Sequence, residues 1–195
     1  MIRFTRDPWD PRSLQGPAVA IVLLALLASV TSLANGFAYD DRWIIADNPN
    51  VHDPAHWWNV FGETYWPTTR NAALYRPLTI LAYQLQWAIG GTDPLLFHTV
   101  NVILYAAVSA MVLLVAAEVM PFAAAWVAAA LFAVHPVHVE AVGNVVGQAE
   151  LWSSLTTLGA LLAYLRGRRD GQRISRERGL IIAGLYFGGM LFKEN

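Results

Sequence analysis

Two short stretches hold most of the side chains able to do chemistry. One is Asp40-Asp41; the other runs from His135 to Glu150, HPVHVEAVGNVVGQAE. The second lies between apolar runs, yet it carries two histidines, two glutamates, an asparagine and a glutamine. Polar groups at membrane depth are costly without partners or water, so they line a bundle interior or a wet cavity. A carboxylate pair at the mouth of a helical bundle can act as a general base, bind a metal or carry protons. As a base, one carboxylate must come within hydrogen-bond reach of an acceptor hydroxyl. Neighbouring side chains need not point the same way, so one of Asp40 and Asp41 serves as that base. The other orients it, or raises its pKa by like-charge repulsion. The plain alternative is an acidic turn in solvent.

Wound as a continuous helix from Glu140, the second stretch sorts into two sides. Glu140, Gly143, Asn144, Gly147, Gln148 and Glu150 fall within an arc of roughly 160°, with Val142, Val145, Val146, Ala149 and Trp152 opposite. That polar side faces either a site or a packing seam, the latter helped by Gly143-x-x-x-Gly147. His135-x-x-His138-x-Glu140 has a metal-like composition, but Pro136 interrupts regular spacing and no fourth ligand is evident. No metal is therefore assigned, and a divalent ion is left open. Arg70 and Arg76 suit a phosphate, Arg76 standing just before a helix N-terminus where anions are welcome. Contact with lipid headgroups is the alternative for both.

These residues need elements to position them. Of 195 residues, 56% are hydrophobic and only 14% charged, against roughly 25% charged in a soluble domain, so the chain reads as an integral membrane protein. The fold class expected is all-α, a polytopic membrane helical bundle with five spans at 17–34, 95–118, 121–135, 145–165 and 179–192. Arg3, Arg6 and Arg12 precede the first span and place the N-terminus in the cytoplasm. A cleavable signal peptide ending near Ser32-Leu33-Ala34 is the competing reading. Residues 35–94 then form an extracytoplasmic loop with short interfacial helices at Asp53-Pro54 and from Pro77 to Gly90-Gly91. Within the latter, Leu78, Leu81, Ala82, Leu85 and Ile89 make the apolar face. His98, Asn101, Tyr105 and Ser109 share one face of the second span. Six arginines between Arg166 and Arg178 mark 166–178 as a cytoplasmic loop, so no nucleic-acid role is needed. Cysteine is absent and redox compartment is unreadable. On this topology Asp40, Asp41, Arg76, His135, His138 and Glu140 converge on one membrane face.

A family resemblance rests on FAYDDRWIIADNPNV (37–51), LYRPLT (74–79), FHTVNVILYA (97–106), HPVHVEAVGNVVGQAE (135–150) and the final FKEN. Together these resemble the membrane module of the transmembrane-and-tetratricopeptide-repeat protein O-mannosyltransferases, of the GT-C glycosyltransferase superfamily. The resemblance implies transfer of a sugar, mannose, from a polyprenyl-phosphate donor to a protein or other hydroxyl acceptor on the extracytoplasmic face of a bacterial cytoplasmic membrane. It places Asp40, Asp41 and Glu140 among catalytic groups and Arg76, His135, His138, Gln148 and Glu150 among substrate-binding ones. Relatives commonly carry a basic residue where this chain has Gln148. The family's further spans and tetratricopeptide repeats are not among these residues, so the chain reads as an N-terminal portion. Two rivals stand beside the enzyme: an ion-coupled transporter lined by Glu140, Asn144, Gln148 and Glu150, and a non-catalytic membrane scaffold.

Overall fold

The computed structural model describes residues 15–66, 74–168 and 173–194. Arg3, Arg6, Arg12 and Arg70, part of the basic loop, and Asn195 of the final motif lie outside them. Every regular element among the described residues is helical. The helices are α1 (Gln15–Ser29, prolonged by a 3-10 turn Val30–Ala34), α2 (Pro77–Gly90), α3 (Pro94–Val119), α4 (Phe122–Val134), α5 (Val139–Gly143), α6 (Gln148–Arg168) and α7 (Arg176–Phe192).

The long helix α3 is the central post, with α1, α4 and α6 packed around it and α7 against α6. Its start follows from Asp93-Pro94: the Asp93 carboxylate accepts from the Leu95 N–H at 2.9 Å, and Pro94 gives up no useful donor there. Small residues let the helices approach. Ala125, Ala129 and Ala133 recur every four positions on α4 and are all buried. At the α6–α7 contact, a Cβ placed on Gly189 would meet Thr156 Oγ1 at 2.8 Å. At the opposite end of α3 from Asp93, Glu118 accepts from Arg166 at 3.0 Å and ties α3 to α6.

Among the described residues two segments are long and apolar enough to cross a bilayer, Gln15–Ala34 and Pro94–Val119. A third arises only if Phe122–Val134 and Pro136–Gly143, bent by 47° at Pro136, count as one broken span. Among the described residues α6 does not meet the same standard, and α7 has 17 residues. The chain is thus a membrane protein, and its described residues hold two or three candidate spans, fewer than the five expected.

The bounds of α2 follow Pro77 and Gly90-Gly91. Thr79, Ile80, Tyr83, Gln84 and Gln86 are buried, while Leu85 and Ile89 of its apolar face are exposed, Ile89 at 80%. A helix beside lipid can turn its apolar side outward and spend its amides on partners inside. One local reading is corrected, that of 135–150. It is not one helix: Asn144 is extended (φ −103°, ψ 139°), a 3-10 turn covers Val145–Gly147, and α6 begins only at Gln148. Gly143 and Gly147 therefore do not form a helix-packing pair. A Cβ on Gly147 would run into the Ala141 carbonyl oxygen, so glycine there serves the close fold-back of its own chain.

Candidate functional site

Breaking a helix at Asn144 exposes backbone groups that must find other partners. Four side chains distant in sequence supply them. Asn35 Nδ2 donates to the Gly143 carbonyl at 3.0 Å, and Asn101 Nδ2 to the Asn144 carbonyl at 2.8 Å. Tyr83 Oη donates to the Val145 carbonyl at 3.3 Å, and the Val146 N–H donates to Asp41 Oδ1 at 2.8 Å. The first loop, α2 and α3 thus grip the second loop by its main chain.

Asp41 does this from full burial. Its Oδ2 also accepts from the Ala38 N–H at 3.1 Å, while its own N–H donates to the Ala38 carbonyl at 2.9 Å. That reciprocal turn forces Tyr39 into the left-handed region, φ +48°, at a cost of order 1–3 kcal/mol for a residue with a Cβ. Burial pushes the Asp41 carboxyl above its ordinary range, although the Val146 and Ala38 N–H groups pull the other way. The same turn sends the next side chain outward. Asp40 is exposed, and it lines a cavity.

This cavity, of about 570 Å³, is where the two loops meet. Asp40 lines it from the first loop, Glu140 and Glu150 from the second loop and α6, and Arg76 from the start of α2. Tyr39, Tyr65, Trp66 and Asn144 complete the polar and aromatic wall. The Arg76 guanidinium lies over the Tyr65 ring, 4.7 Å from its centre. Burial lifts the Tyr65 hydroxyl to about 12 against the opposing pull of Arg76, so it stays a neutral donor.

The residues that follow α7 pair with two members of this lining. Arg76 Nε and Nη2 donate to the two Glu194 carboxylate oxygens at 2.9 and 3.0 Å, a forked pair. Lys193 Nζ pairs with Glu150, Thr79 Oγ1 donates to the Phe192 carbonyl at 2.7 Å, and Phe192 stacks on Trp152. Burial raises the Glu194 carboxyl, but the hydrogen bond and charge of Arg76 more than reverse this and hold it below its ordinary range.

Of the residues singled out from sequence, Asp40, Arg76, Glu140, Asn144 and Glu150 come together. The others stand elsewhere. Asp41 is the buried tie between loops. Gln148 is buried behind the cavity, exchanging amide hydrogen bonds with Gln86 at 2.7 and 3.2 Å and donating to Asn101 Oδ1 at 2.8 Å. Glu140, Asn144, Gln148 and Glu150 therefore do not share one surface. His135 Nδ1 accepts from the Val137 N–H at 3.2 Å and caps the turn after α4, while His138 lies against Phe132 with ring centres 4.1 Å apart. Neither histidine is in the cavity wall. Among the described residues no three His, Cys, Asp or Glu side chains group to hold a metal ion. Sequence reasoning missed Tyr65, Lys193 and Glu194 as members of the site. The resemblance had drawn attention to Lys193-Glu194 as a motif, but nothing local connects them to Arg76.

Comparison with known proteins agrees with the motif pattern. Over 141 residues, 70% of this chain and 15% of the relative, the chain is 38% identical to Protein O-mannosyl-transferase TMTC3 of Homo sapiens. It is 38% identical to TMTC1 of Mus musculus over 173 residues, 83% of this chain and 18% of the relative. With Tmtc1 of Drosophila melanogaster it shares 38% over 178 residues, 88% of this chain and 20% of that protein. The chain thus spans about a fifth or less of the length of these relatives. No family profile and no solved structure matches it.

Proposed function

The chain belongs to the TMTC-like family of protein O-mannosyl-transferases over the segment it shares with these relatives, and from that premise we propose that it forms the sugar-transfer end of a membrane glycosyltransferase. The reaction moves a mannosyl group from a polyprenyl-phosphate donor to a protein hydroxyl, in the GT-C manner. One observation carries this reading. Asp40 and Glu140, a hundred residues apart, line a single cavity together with Arg76.

Asp40 is the general base: it is the exposed member of the acidic pair and accepts the proton of the attacking hydroxyl. Asp41 is a positioning residue, fixing the turn that presents Asp40. Glu140 and Glu150 orient the acceptor by hydrogen bonding to its neighbouring groups. Arg76 faces the departing phosphate, where negative charge grows as the sugar–oxygen bond breaks. The new bond joins the acceptor oxygen to the sugar's anomeric carbon, and the polyprenyl phosphate leaves with the electron pair of the old one. For the membrane arrangement, α6 and α7 cross alongside the candidate spans to make five crossings, with the N-terminus cytoplasmic. The cavity then opens on the extracytoplasmic face, with the exposed Trp57, Trp58 and Phe61 at headgroup level.

The reading is tested by following consumption of polyprenyl-phosphate mannose by the protein and by its Asp40→Asn and Glu140→Gln variants. Loss of the base is expected to lower kcat by about 10²- to 10⁴-fold with KM for the donor little changed. An Asp40→Asn protein that transfers mannose at the parental rate would remove the proposed base.

A further inference from the structure

The charge arrangement of the cavity raises a difficulty for any anionic ligand. Asp40, Glu140 and Glu150 line it, and Arg76, the one cation in the wall among the described residues, is already engaged by Glu194. Lys193, the next cation along, is engaged by Glu150. With both pairs closed, a phosphate would meet three carboxylates and, among the described residues of the wall, no unpaired cation. The forked geometry on Arg76 is, however, the one a phosphate uses: two parallel N–H groups donating to two oxygens of one anion. Arg76 is held rigidly for this, its side chain 14% exposed and laid over Tyr65, whereas Glu194 is 44% exposed on an extended segment past the end of α7. Of the two partners, Arg76 is the more enclosed and Glu194 the more open to solvent.

We propose that the Glu194 carboxylate holds the place of a phosphate group on Arg76, and that a phosphate-bearing ligand binds by exchanging with it. The inference rests on the reading that the cavity takes a phosphosugar donor. On exchange, Glu194 swings toward solvent and Arg76 passes its two hydrogen bonds to phosphate oxygens. Lys193, on the same segment, is released from Glu150 and becomes the second cation. Lys193 and Glu194 are thus exchangeable partners of the lining, paired with it when the anion site is empty and displaced when it is filled.

The ligand chemistry is a phosphate monoester or diester, carried by a lipid or free in solution. The probes are farnesyl phosphate and inorganic phosphate, titrated against the purified full chain in detergent and followed by tryptophan fluorescence, since Trp66 lines the cavity. Removing the competing charge with Glu194→Gln is expected to tighten farnesyl phosphate about 3- to 5-fold, the range set by a half-exposed ion pair. Arg76→Gln is expected to weaken it at least about tenfold, and Arg76→Lys, which keeps the charge without the fork, to fall between. Matching gains for inorganic phosphate assign the site to free phosphate; gains confined to farnesyl phosphate assign it to a lipid-borne one. If Glu194→Gln leaves affinity unchanged or weaker while both Arg76 variants still lose it, the exchange is overturned and the phosphate site stands. If neither Arg76 variant changes affinity, the phosphate does not sit on Arg76 and the donor reading fails with it.

Discussion

The two walls of the cavity are built on opposite principles. The wall at 143–148 is an unwound main chain gripped by Asn35, Asp41, Tyr83 and Asn101, with Gln148 locked to Gln86 behind it. Three of those four anchors, and Gln148 itself, are buried. The wall at Arg76 is closed by two ion pairs whose acids, Glu194 and Glu150, are 44% and 52% exposed. Buried, fully satisfied hydrogen bonds are expensive to break because each freed group is left dry, whereas half-exposed ion pairs contribute at most about 1 kcal/mol. One wall therefore sets geometry and the other yields. The proposed sugar transfer would use both, a fixed base and a site that admits a large lipid-linked substrate.

Substitutions that strike the rigid wall give the largest effects. Gly147→Ala drives a methyl group into the Ala141 carbonyl, and the backbone has no side chain to move aside. A loss of about 3 kcal/mol or more is expected, read as a marked drop in Tm in detergent. Asp41→Ala comes next. It strands the Val146 and Ala38 N–H groups and is expected to cost about 2–4 kcal/mol, while Asp41→Asn, which keeps one acceptor, loses about half as much. If Asp41→Ala melts with the parent, the tie between loops carries no weight. Gln148→Leu leaves the amides of Gln86 and Asn101 short of partners and should cost about 1–3 kcal/mol.

The yielding wall gives the smallest effect, and pH distinguishes it. Glu194 has its folded pKa below the ordinary value, so its contribution is present above that ordinary value and is lost as pH falls through the folded one. Because the pair is half-exposed, opening it below about pH 4 should lower stability by no more than about 1 kcal/mol. In Glu194→Gln that acid-side decrement is expected to vanish, as measured by Tm between pH 3 and pH 6.

Much of the scaffold was legible because its signals are local. Asp93-Pro94 starts α3, Pro77 and Gly90-Gly91 bound α2, and the spacing of His98, Asn101, Tyr105 and Ser109 places them on the buried side of α3. The break at Asn144 was not legible. A polar residue every third or fourth position reads the same whether the helix continues or stops, and what stops it here is hydrogen bonding from residues 35, 41, 83 and 101. The same non-local cause separates Asp40 from Asp41. The dipeptide suggested that one acid would work and the other support it, but only the turn at Tyr39 and the Val146 contact say which. The apolar stripe of α2 was legible too, and it turns outward because such a stripe marks a core only when the outside is water.

The central geometric claim can be measured directly because the chain contains no cysteine. Nitroxide labels on an Asp40→Cys, Glu140→Cys double variant, in detergent or in bilayers, report the separation of the two loops by pulsed electron resonance. With both positions on one cavity, the expected distance distribution is a single population well short of the ~30 Å hydrocarbon thickness. A population centred beyond that thickness would put the two acids on opposite sides of the membrane and contradict a shared site.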